Sequence, residues 1–410
     1  MRETRMKTLF ATTALAGVLA LAPLALPVQG YLGGSARAAE AAVGPAVGKP
    51  LKEAQDLSKA GNYAAALKKV KEANALPGKT AYESFVIDEF TTFINVKLKD
   101  YGAAAQSAEA ALDTGQAPAK ERAQRLKTLV QLNYSVKNYG KAIGFAGQYR
   151  QEAGADPEIE QLVVQAYYQQ GDYANAAAAA KGLAASARAA GRKPDETVLQ
   201  VWLSSAFKQG DAKGQREALT ALVESYPSPA YKGDLMNLVE ADLGKSDRMS
   251  LEVFRLKLAA GTLKSSDDYV EMAQLALQLG LPGEAESVMR HGFDAGVLGG
   301  PNRSREQRLE AMAKSQAAQD EPTLARTAPT TPKTKAALAE AYATYGKPDK
   351  AIALYREALA SAFPEADLAR LHLGQALLAK GDAAAAAKAF RSVRDPKLAE
   401  LANLWIVLPK

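Results

Sequence analysis

The sequence predicts an all-α fold, a right-handed solenoid of about ten helix-turn-helix repeats. Two observations predict it: strand patterns are nearly absent, and a short phrase built around tyrosine returns at a fixed period. The phrase stands at 61–66, 100–104, 138–142 and 171–176. Its tyrosines are 38, 38 and 34 residues apart, a period typical of stacked helical hairpins. Two helices per period give about twenty helices.

Each phrase has the chemistry of a corner between two helices. Glycine, asparagine or aspartate tolerates the turn, and an Asn or Asp side chain caps the helix that follows. The tyrosine, for example Tyr139, is expected to fill the corner, while the adjacent alanines let the paired helices touch. The longer spacings add four residues, about one helical turn, so the buried faces keep their phase.

Weaker copies of the corner continue along the chain. They are marked by Gly210, Gly244, Gly280, Gly346 and Gly381, which are 34, 36, 66 and 35 residues apart. The step of 66 is nearly two periods, so one repeat between 297 and 333 has lost its corner. A simple alanine-rich bundle would also space its apolar residues three and four apart, but it would not place turn residues at a fixed period.

The strongest unit lies near the C-terminus, where Gly374, Leu377, Gly381, Ala386 and Phe390 follow one another in a characteristic order. The unit before it supplies Tyr342, Gly346, Ala351, Tyr355, Ala358 and Leu359. In this order the chain resembles the tetratricopeptide-repeat family, over about residues 48–395, although the opening Trp of the family pattern is missing throughout. The resemblance implies an interaction scaffold in which the first helix of each pair lines a groove.

The helix expected over 80–98 stands apart because it is apolar on nearly every side. Such a helix must be covered on both sides. We expect neighbouring repeats to cover it; a contact with another protein is the alternative.

The N-terminus has the composition of a secretory signal peptide. Basic residues in the first seven positions precede an apolar run over 9–28, which two prolines interrupt, and a small-residue cleavage site follows at 36–38. The sequence therefore predicts a signal peptide over 1–38, a flexible lead-in over 39–47 and a periplasmic mature protein. A retained membrane anchor is the alternative, against which the prolines and the cleavage site argue.

The composition excludes some classes of chemistry and of partner. The chain has no cysteine, which excludes a lipoprotein anchor, disulfides and thiolate chemistry. Its formal charge of +6 falls to about +3 without the predicted leader, with 47 basic and 44 acidic residues remaining. No run of five basic residues survives, so nucleic acid is not expected as a partner.

Residues for catalysis are not evident either. The two histidines, His291 and His372, stand alone, and the chain carries no zinc-protease, serine-hydrolase or phosphate-loop motif. Gly244-Lys245-Ser246 lacks the upstream glycine of a phosphate loop. We therefore predict no catalytic, cofactor-binding or metal residues, and we interpret His372 as a surface or packing residue.

A partner-binding groove is predicted on three successive first helices, expected over 120–136, 156–170 and 195–209. Aligned positions form rows of amides, lysine and rings. The predicted site residues are Lys127, Gln131, Tyr134, Gln161, Gln165, Tyr168, Gln200 and Phe207. Amides can pair with a peptide backbone while rings bury side chains, which suits an extended peptide and would also suit a glycan. Alternatively these are solvated helix positions, and the rings pack between neighbouring helices.

The predicted organisation is an array over 48–298, a degenerate repeat with a Thr/Pro linker over 299–333, and a pair of repeats with a capping helix over 334–410. The function predicted first is an exported, non-catalytic scaffold for protein partners in the bacterial cell envelope, in an outer-membrane transport or assembly setting. A periplasmic binder of polysaccharide or peptidoglycan is the alternative. An enzyme comes third, because no segment is left to house a catalytic domain.

Overall fold

The computed structural model describes residues 42–243 and 246–408, and the predicted signal peptide lies outside these ranges. Twenty α-helices, α1 to α20, and no strand occur among the described residues. The all-α prediction is therefore confirmed. The chain folds as two compact units that divide between Gly210 and Asp211, and each is described by itself. The sequence-based boundaries at 298 and 334 stay predictions.

Unit 1 contains the first nine helices. They are α1 (Pro45–Lys59), α2 (Tyr63–Asn74), α3 (Ala81–Lys97), α4 (Tyr101–Asp113), α5 (Ala119–Ser135), α6 (Tyr139–Ala153), α7 (Pro157–Gln169), α8 (Tyr173–Ala189) and α9 (Glu196–Gln209). Each helix packs on the next, and α1 also contacts α3, α5 contacts α7, and α7 contacts α9. The odd-numbered helices thus form one layer, the first-helix layer, and the even-numbered helices form the second-helix layer. This is the arrangement of stacked hairpins.

The four tyrosine phrases form the corners between paired helices, as predicted. The tyrosine of each phrase is the first residue of α2, α4, α6 or α8. Asn62, Asp100 and Asp172 each accept a hydrogen bond from the backbone N–H three residues ahead, which caps the helix start. Gly61 and Gly171 end the preceding helices with φ of 76° and 79°, a conformation that glycine adopts without steric cost.

Two corners reach the same left-handed conformation without glycine. Lys99 and Lys137 occupy the position, with φ of 62° and 64°. The conformation costs an ordinary L-residue roughly 1–2 kcal/mol. The packing of the two helices therefore imposes the corner geometry against the local preference of lysine.

Helix α3 is covered by its neighbours inside unit 1, which confirms the interior interpretation. Phe85, Val86, Ile87, Phe90 and Ile94 are buried in one cluster with residues of the first two helices. The helix contacts α1, α2 and α4. The helix is apolar on several sides, and these neighbouring helices cover those sides.

Unit 2 contains the remaining helices. They are α10 (Ala212–Ser225), α11 (Pro229–Leu243), α12 (Asp247–Ala259), α13 (Ser266–Gln278), α14 (Pro282–Asp294), α15 (Arg303–Leu324), α16 (Pro332–Thr344), α17 (Pro348–Ala358), α18 (Ala366–Ala379), α19 (Ala383–Arg391) and α20 (Pro396–Val407). Each packs on the next along the chain. Residues 327–331 form a non-helical linker before α16, where the sequence placed it.

The repeat without a corner is a single helix, α15, of 22 residues. One unpaired helix reverses the alternation of the layers. Helix α14, which follows a glycine corner, contacts α16, which precedes one, and α16 in turn contacts α18. Helix α14 is the second helix of its hairpin, whereas α16 and α18 are the first helices of theirs. First and second helices therefore exchange layers at α15.

The last helix, α20, does more than cap the last repeat. Leu401, Leu404 and Trp405 are buried as predicted, and the Trp405 ring stacks on Phe390 with centroids 6.1 Å apart. The helix contacts α18 and α19 but also α10, α11 and α12. Unit 2 is therefore closed, since its last helix packs against its first three.

Candidate partner-binding face

The predicted site residues lie on α5, α7 and α9, three neighbours in the first-helix layer. The observed ends of these helices agree with the expected ones within one residue. The structure thus brings the predicted rows together on one layer of unit 1. Their role in binding a partner stays a prediction.

The first rows are tied between helices by charge and amide contacts. Lys127 Nζ on α5 lies 3.0 Å from Asp156 Oδ2 and 2.7 Å from Glu158 Oε2 at the start of α7. Gln131 Nε2 donates to Glu158 Oε1 at 3.3 Å, and Gln161 Nε2 donates to Asp195 Oδ1 at 3.5 Å. Polar groups of one repeat therefore bind acidic side chains at the start of the next first helix.

The tyrosine row forms a second set of ties. The Tyr134 hydroxyl donates to Gln165 Oε1 at 2.9 Å, and the Tyr168 hydroxyl is 2.7 Å from Ser204 Oγ. Burial, helped by the neighbouring Tyr139, raises the pKa of Tyr134 to about 12. The Tyr134 hydroxyl therefore stays protonated, and both hydroxyls bind the next helix of the layer.

Each row tyrosine also packs edge to face on a corner tyrosine. Tyr134 meets Tyr139, and Tyr168 meets Tyr173, in both pairs with centroids 5.5 Å apart and planes 64° apart. The identical geometry shows that the pair is a unit of the repeat. Ring packing within the array thus accounts for part of the recurrence in the sequence.

Access differs along the rows. Gln131 and Gln165 are only 4% and 7% exposed, whereas Tyr134, Tyr168, Gln161 and Gln200 are half-buried. Phe207 is 37% exposed and is one of three large apolar side chains exposed among the described residues. The surface that a partner can touch therefore consists of Phe207, the half-buried polar side chains and ring edges.

Sequence reasoning missed a buried charged cluster in unit 2. Its centre is Arg255 on α12, which donates to Glu284 at 2.7 and 2.6 Å, to Glu252 at 2.6 Å and to Glu340 at 2.9 Å. His372 Nε2 lies 2.7 Å from Glu252 Oε1 and 3.1 Å from Arg255 Nη1. The cluster joins α12, α14, α16 and α18, and the buried histidine is part of it.

The charges around them keep the Glu252 and Glu340 carboxyls ionised. Burial would raise the pKa of the Glu252 carboxyl, but Arg255 and His372 hold it well below its usual range. Oxygen and nitrogen atoms of Glu252, Glu340 and His372 lie within 4.8 Å of one another, a spacing that a metal ion could bridge. The Arg255 guanidinium already supplies the positive charge there. A Glu-x-x-Arg pair set among Leu251, Val253, Phe254 and Leu256 was the sequence signal for this cluster.

No helix among the described residues combines the length and the apolar composition needed to cross a membrane.

A comparison with protein families matches residues 332–376 to the tetratricopeptide repeat. The predicted resemblance is confirmed for this segment, which covers α16, α17 and most of α18. No protein of curated function matches the sequence.

Solved structures with similar helical arrays share little sequence with the chain. Naa15/Naa10 bound to HypK-THB is 16% identical with a TM-score of 0.37, over 86% of this chain and 54% of the other. A tetratricopeptide repeat protein from Parabacteroides merdae is 10% identical with a TM-score of 0.32, over 82% and 100%. Yeast Tom70 is 12% identical with a TM-score of 0.26, over 87% and 94%. The chain thus spans about half the length of the first of these.

Proposed function

We propose that this tetratricopeptide-repeat protein is an exported, non-catalytic scaffold that holds a protein or peptide partner in the bacterial cell envelope. Repeats of this kind serve as protein-interaction scaffolds, and their stacked hairpins present extended binding surfaces. The leader-like composition of residues 1–38 supports export. An outer-membrane transport or assembly system is the expected setting.

The observation that carries the proposal is the locked first-helix layer of unit 1. Helices α5, α7 and α9 are joined by the Lys127, Tyr134 and Tyr168 contacts described above. A face held in this way loses little conformational freedom when a partner docks, and preorganisation of this kind raises affinity.

The partner chemistry follows from what remains accessible. Phe207 offers an exposed aromatic anchor at the end of the layer, and Gln161 offers a half-buried amide one helix away. Aromatic anchors dominate many interfaces, and amides can pair with a peptide backbone. An extended peptide with an apolar side chain is therefore the expected partner.

A polysaccharide or peptidoglycan ligand is less well supported by the same contacts. Sugar rings stack on open aromatic faces, but Tyr134 and Tyr168 are packed edge to face on Tyr139 and Tyr173. Gln131 and Gln165 are buried against neighbouring helices. The glycan alternative stays a prediction without a specific observation in its favour.

Photo-crosslinking in cells tests the binding face. We expect a benzophenone amino acid at position 207 to give a discrete crosslinked species, because Phe207 is exposed on the proposed face. The matched control carries the same group at Gln148, which is exposed on α6 in the second-helix layer. Crosslinks from position 148 alone would place the partner on the other layer, and crosslinks from neither would remove the proposed site.

N-terminal sequencing tests export separately. Protein recovered from the periplasmic fraction should begin close to residue 39, because the predicted cleavage site is 36–38. An intact Met1 on membrane-bound protein would contradict the proposed location. It would leave the crosslinking result unaffected.

A further inference from the structure

The turns between paired helices of unit 1 lie along one edge of the array, which we call the corner edge. The first helix of each hairpin ends there, and the packing of α5 on α7 and of α7 on α9 brings neighbouring turns side by side. The corner edge comprises residues 59–62, 97–100, 135–138, 169–172 and 208–210.

The tips of these turns project away from the protein. At Gly61, Gly171 and Gly210, an added Cβ atom would meet nothing within 4 Å apart from the adjacent residues. Lys99 and Lys137 occupy the same position of their turns, in the same left-handed backbone conformation, and both are exposed. Their side chains therefore extend from the array into solvent.

The corner edge carries an excess of positive charge. It contains two aspartates and five exposed lysines, which are Lys59, Lys97, Lys99, Lys137 and Lys208. The carboxylates of Asp100 and Asp172 each accept a hydrogen bond from a backbone N–H at a helix start. None of the five lysines forms an ion pair within the described part of the chain. Their charges are therefore available to an anionic partner.

Lysine at two of the tips is unfavourable for the fold. A positive φ is disfavoured for any residue with a Cβ atom, and glycine avoids this cost at the other three turns. Neither Lys99 nor Lys137 gains an ion pair within the described residues that would offset it. Strain without a structural benefit points to a function, and what lysine adds here is positive charge at a protruding point.

An exposed leucine lies between two of the lysines. Leu98, which is 40% exposed, stands between Lys97 and Lys99. Lys97 Nζ lies 5.5 Å from the ring centroid of the half-buried Phe93, so its stem covers apolar surface while its charge stays in water. A protruding leucine flanked by lysines suits a surface that is anionic outside and apolar beneath.

We propose that the corner edge of unit 1 docks on an anionic lipid surface. The five lysines contact the lipid phosphates, and Leu98 enters the apolar layer beneath them. A row of protruding tips meets a flat surface at several points at once, and each lysine near such a surface strengthens binding about fivefold. The corner edge does not include the side chains of the proposed protein-binding face, so the two proposals stand or fall separately.

Co-sedimentation with lipid vesicles tests the proposal on protein purified from cells that express the full chain. The wild type should bind vesicles of equal parts phosphatidylglycerol and phosphatidylcholine in a saturable way, and phosphatidylcholine alone at least about tenfold more weakly. Lys99→Gly combined with Lys137→Gly should weaken binding to the anionic vesicles about thirtyfold. The same double variant should unfold at an equal or higher temperature, because glycine relieves the left-handed turns. Lost binding would then not reflect a lost fold.

A matched control removes the same charge elsewhere. Lys71 and Lys120 are exposed near the ends of α2 and α5 opposite to the corner edge. Lys71→Gln combined with Lys120→Gln should weaken binding about twofold at most, because both positions lie farther from the edge than the screening distance of salt. All variants share the wild-type N-terminus, so the predicted leader cannot account for a difference between them.

A third variant tests the leucine. Leu98→Gln should weaken binding to the anionic vesicles about threefold to tenfold, since part of one leucine surface leaves water on docking. Equal binding to both kinds of vesicle, an equal loss in the two double variants, or an unchanged Leu98 variant would overturn the proposal. Saturable binding of a polyglutamate peptide without binding of vesicles would also overturn it, and would identify an acidic protein as the occupant of the edge.

Discussion

At the scale of single residues, the Asp88 carboxyl gives unit 1 a pH-dependent stability. Burial, with a further contribution from Glu89, raises the pKa of Asp88 to about 6. The unfolded chain binds this proton less tightly, with a pKa near about 3.9. Stability from protonated Asp88 is therefore full below about pH 4 and is lost as the pH rises through about 6.

We predict that Asp88→Asn raises the free energy of unfolding at pH 7.5 and has no such effect at pH 4. The shift corresponds to at most about 3 kcal/mol, and because the side chain is half-buried we expect about 1–2 kcal/mol. Denaturant titrations at the two pH values measure it. Asp56→Asn, an exposed residue on α1, is the control. An equal gain at both pH values would contradict a titration effect.

The residue types of the proposed binding face could be predicted from the sequence, but their contacts could not. Tyr134 and Tyr168 recur at one repeat position, which predicted a partner-binding role for them, with packing between helices as the alternative. Their hydroxyls bind Gln165 and Ser204, each from the next repeat. Such pairs depend on the distance between helices that are 30 or more residues apart in the chain, and a periodic pattern does not contain that distance.

At the scale of helices, the contact between α18 and α19 depends on a residue without a side chain. A Cβ atom at Gly374 on α18 would overlap the ring of Phe390 on α19. That ring is buried and stacked on Trp405, so it has little room to move. Close approach of the two helices therefore requires glycine.

We predict that Gly374→Ala lowers the free energy of unfolding by about 1–3 kcal/mol, as overpacking in a core does. The control is Gly182→Ala on α8, where the added atom meets nothing within 4 Å. That change should raise stability by about 0.5–1 kcal/mol, because alanine favours the helix over glycine. Thermal unfolding compares the two. A gain from both changes would show that the Gly374 site can relax.

Helix positions followed from the sequence wherever the corner chemistry was present. The fold class was predicted correctly, and the ends of α5, α7 and α9 were predicted within one residue. Asp, Asn and Gly mark caps and turns in the sequence, which is why these ends could be placed. The corners at Lys99 and Lys137 were found from their Asp-Tyr and Asn-Tyr neighbours, although lysine gives no sign of a left-handed conformation. Helix α15 was marked by the missing corner and by the charged stretch from Pro301 toward Asp320, which predicts one helix there.

At the scale of the molecule, closure of unit 2 is the property that the sequence did not predict. The apolar segment with Trp405 indicated a cap, but its contacts with α10, α11 and α12 depend on how all the intervening helices turn. Each repeat interface adds a small rotation, and the unpaired α15 reverses the layers within that series. The charged cluster forms because this sum brings helices α12 and α18 together, with Glu252 next to His372.

Because unit 2 is closed, we expect a destabilising substitution to affect more distant helices in unit 2 than in unit 1. In a linear array each repeat contacts only its neighbours, so a destabilising substitution lowers the stability of the adjacent repeats and little else. In unit 2 the last helix supports the first three, and an ion pair between Arg216 and Glu400 adds to that contact. A destabilising substitution in α20 should therefore also destabilise residues 212–259, which are far away in the sequence.

We predict that Leu401→Ala, in the buried face of α20, lowers hydrogen-exchange protection in α10–α12 as much as in α18 and α19. Removal of a buried leucine side chain costs about 2–5 kcal/mol, enough to populate partial opening. The comparison is Leu126→Ala on α5, equally buried in unit 1, where loss should centre on α4–α7 and leave α1 protected. Peptide-resolved exchange distinguishes the two patterns. Loss confined to 366–407 in the Leu401 variant would mean that α20 is only a terminal cap.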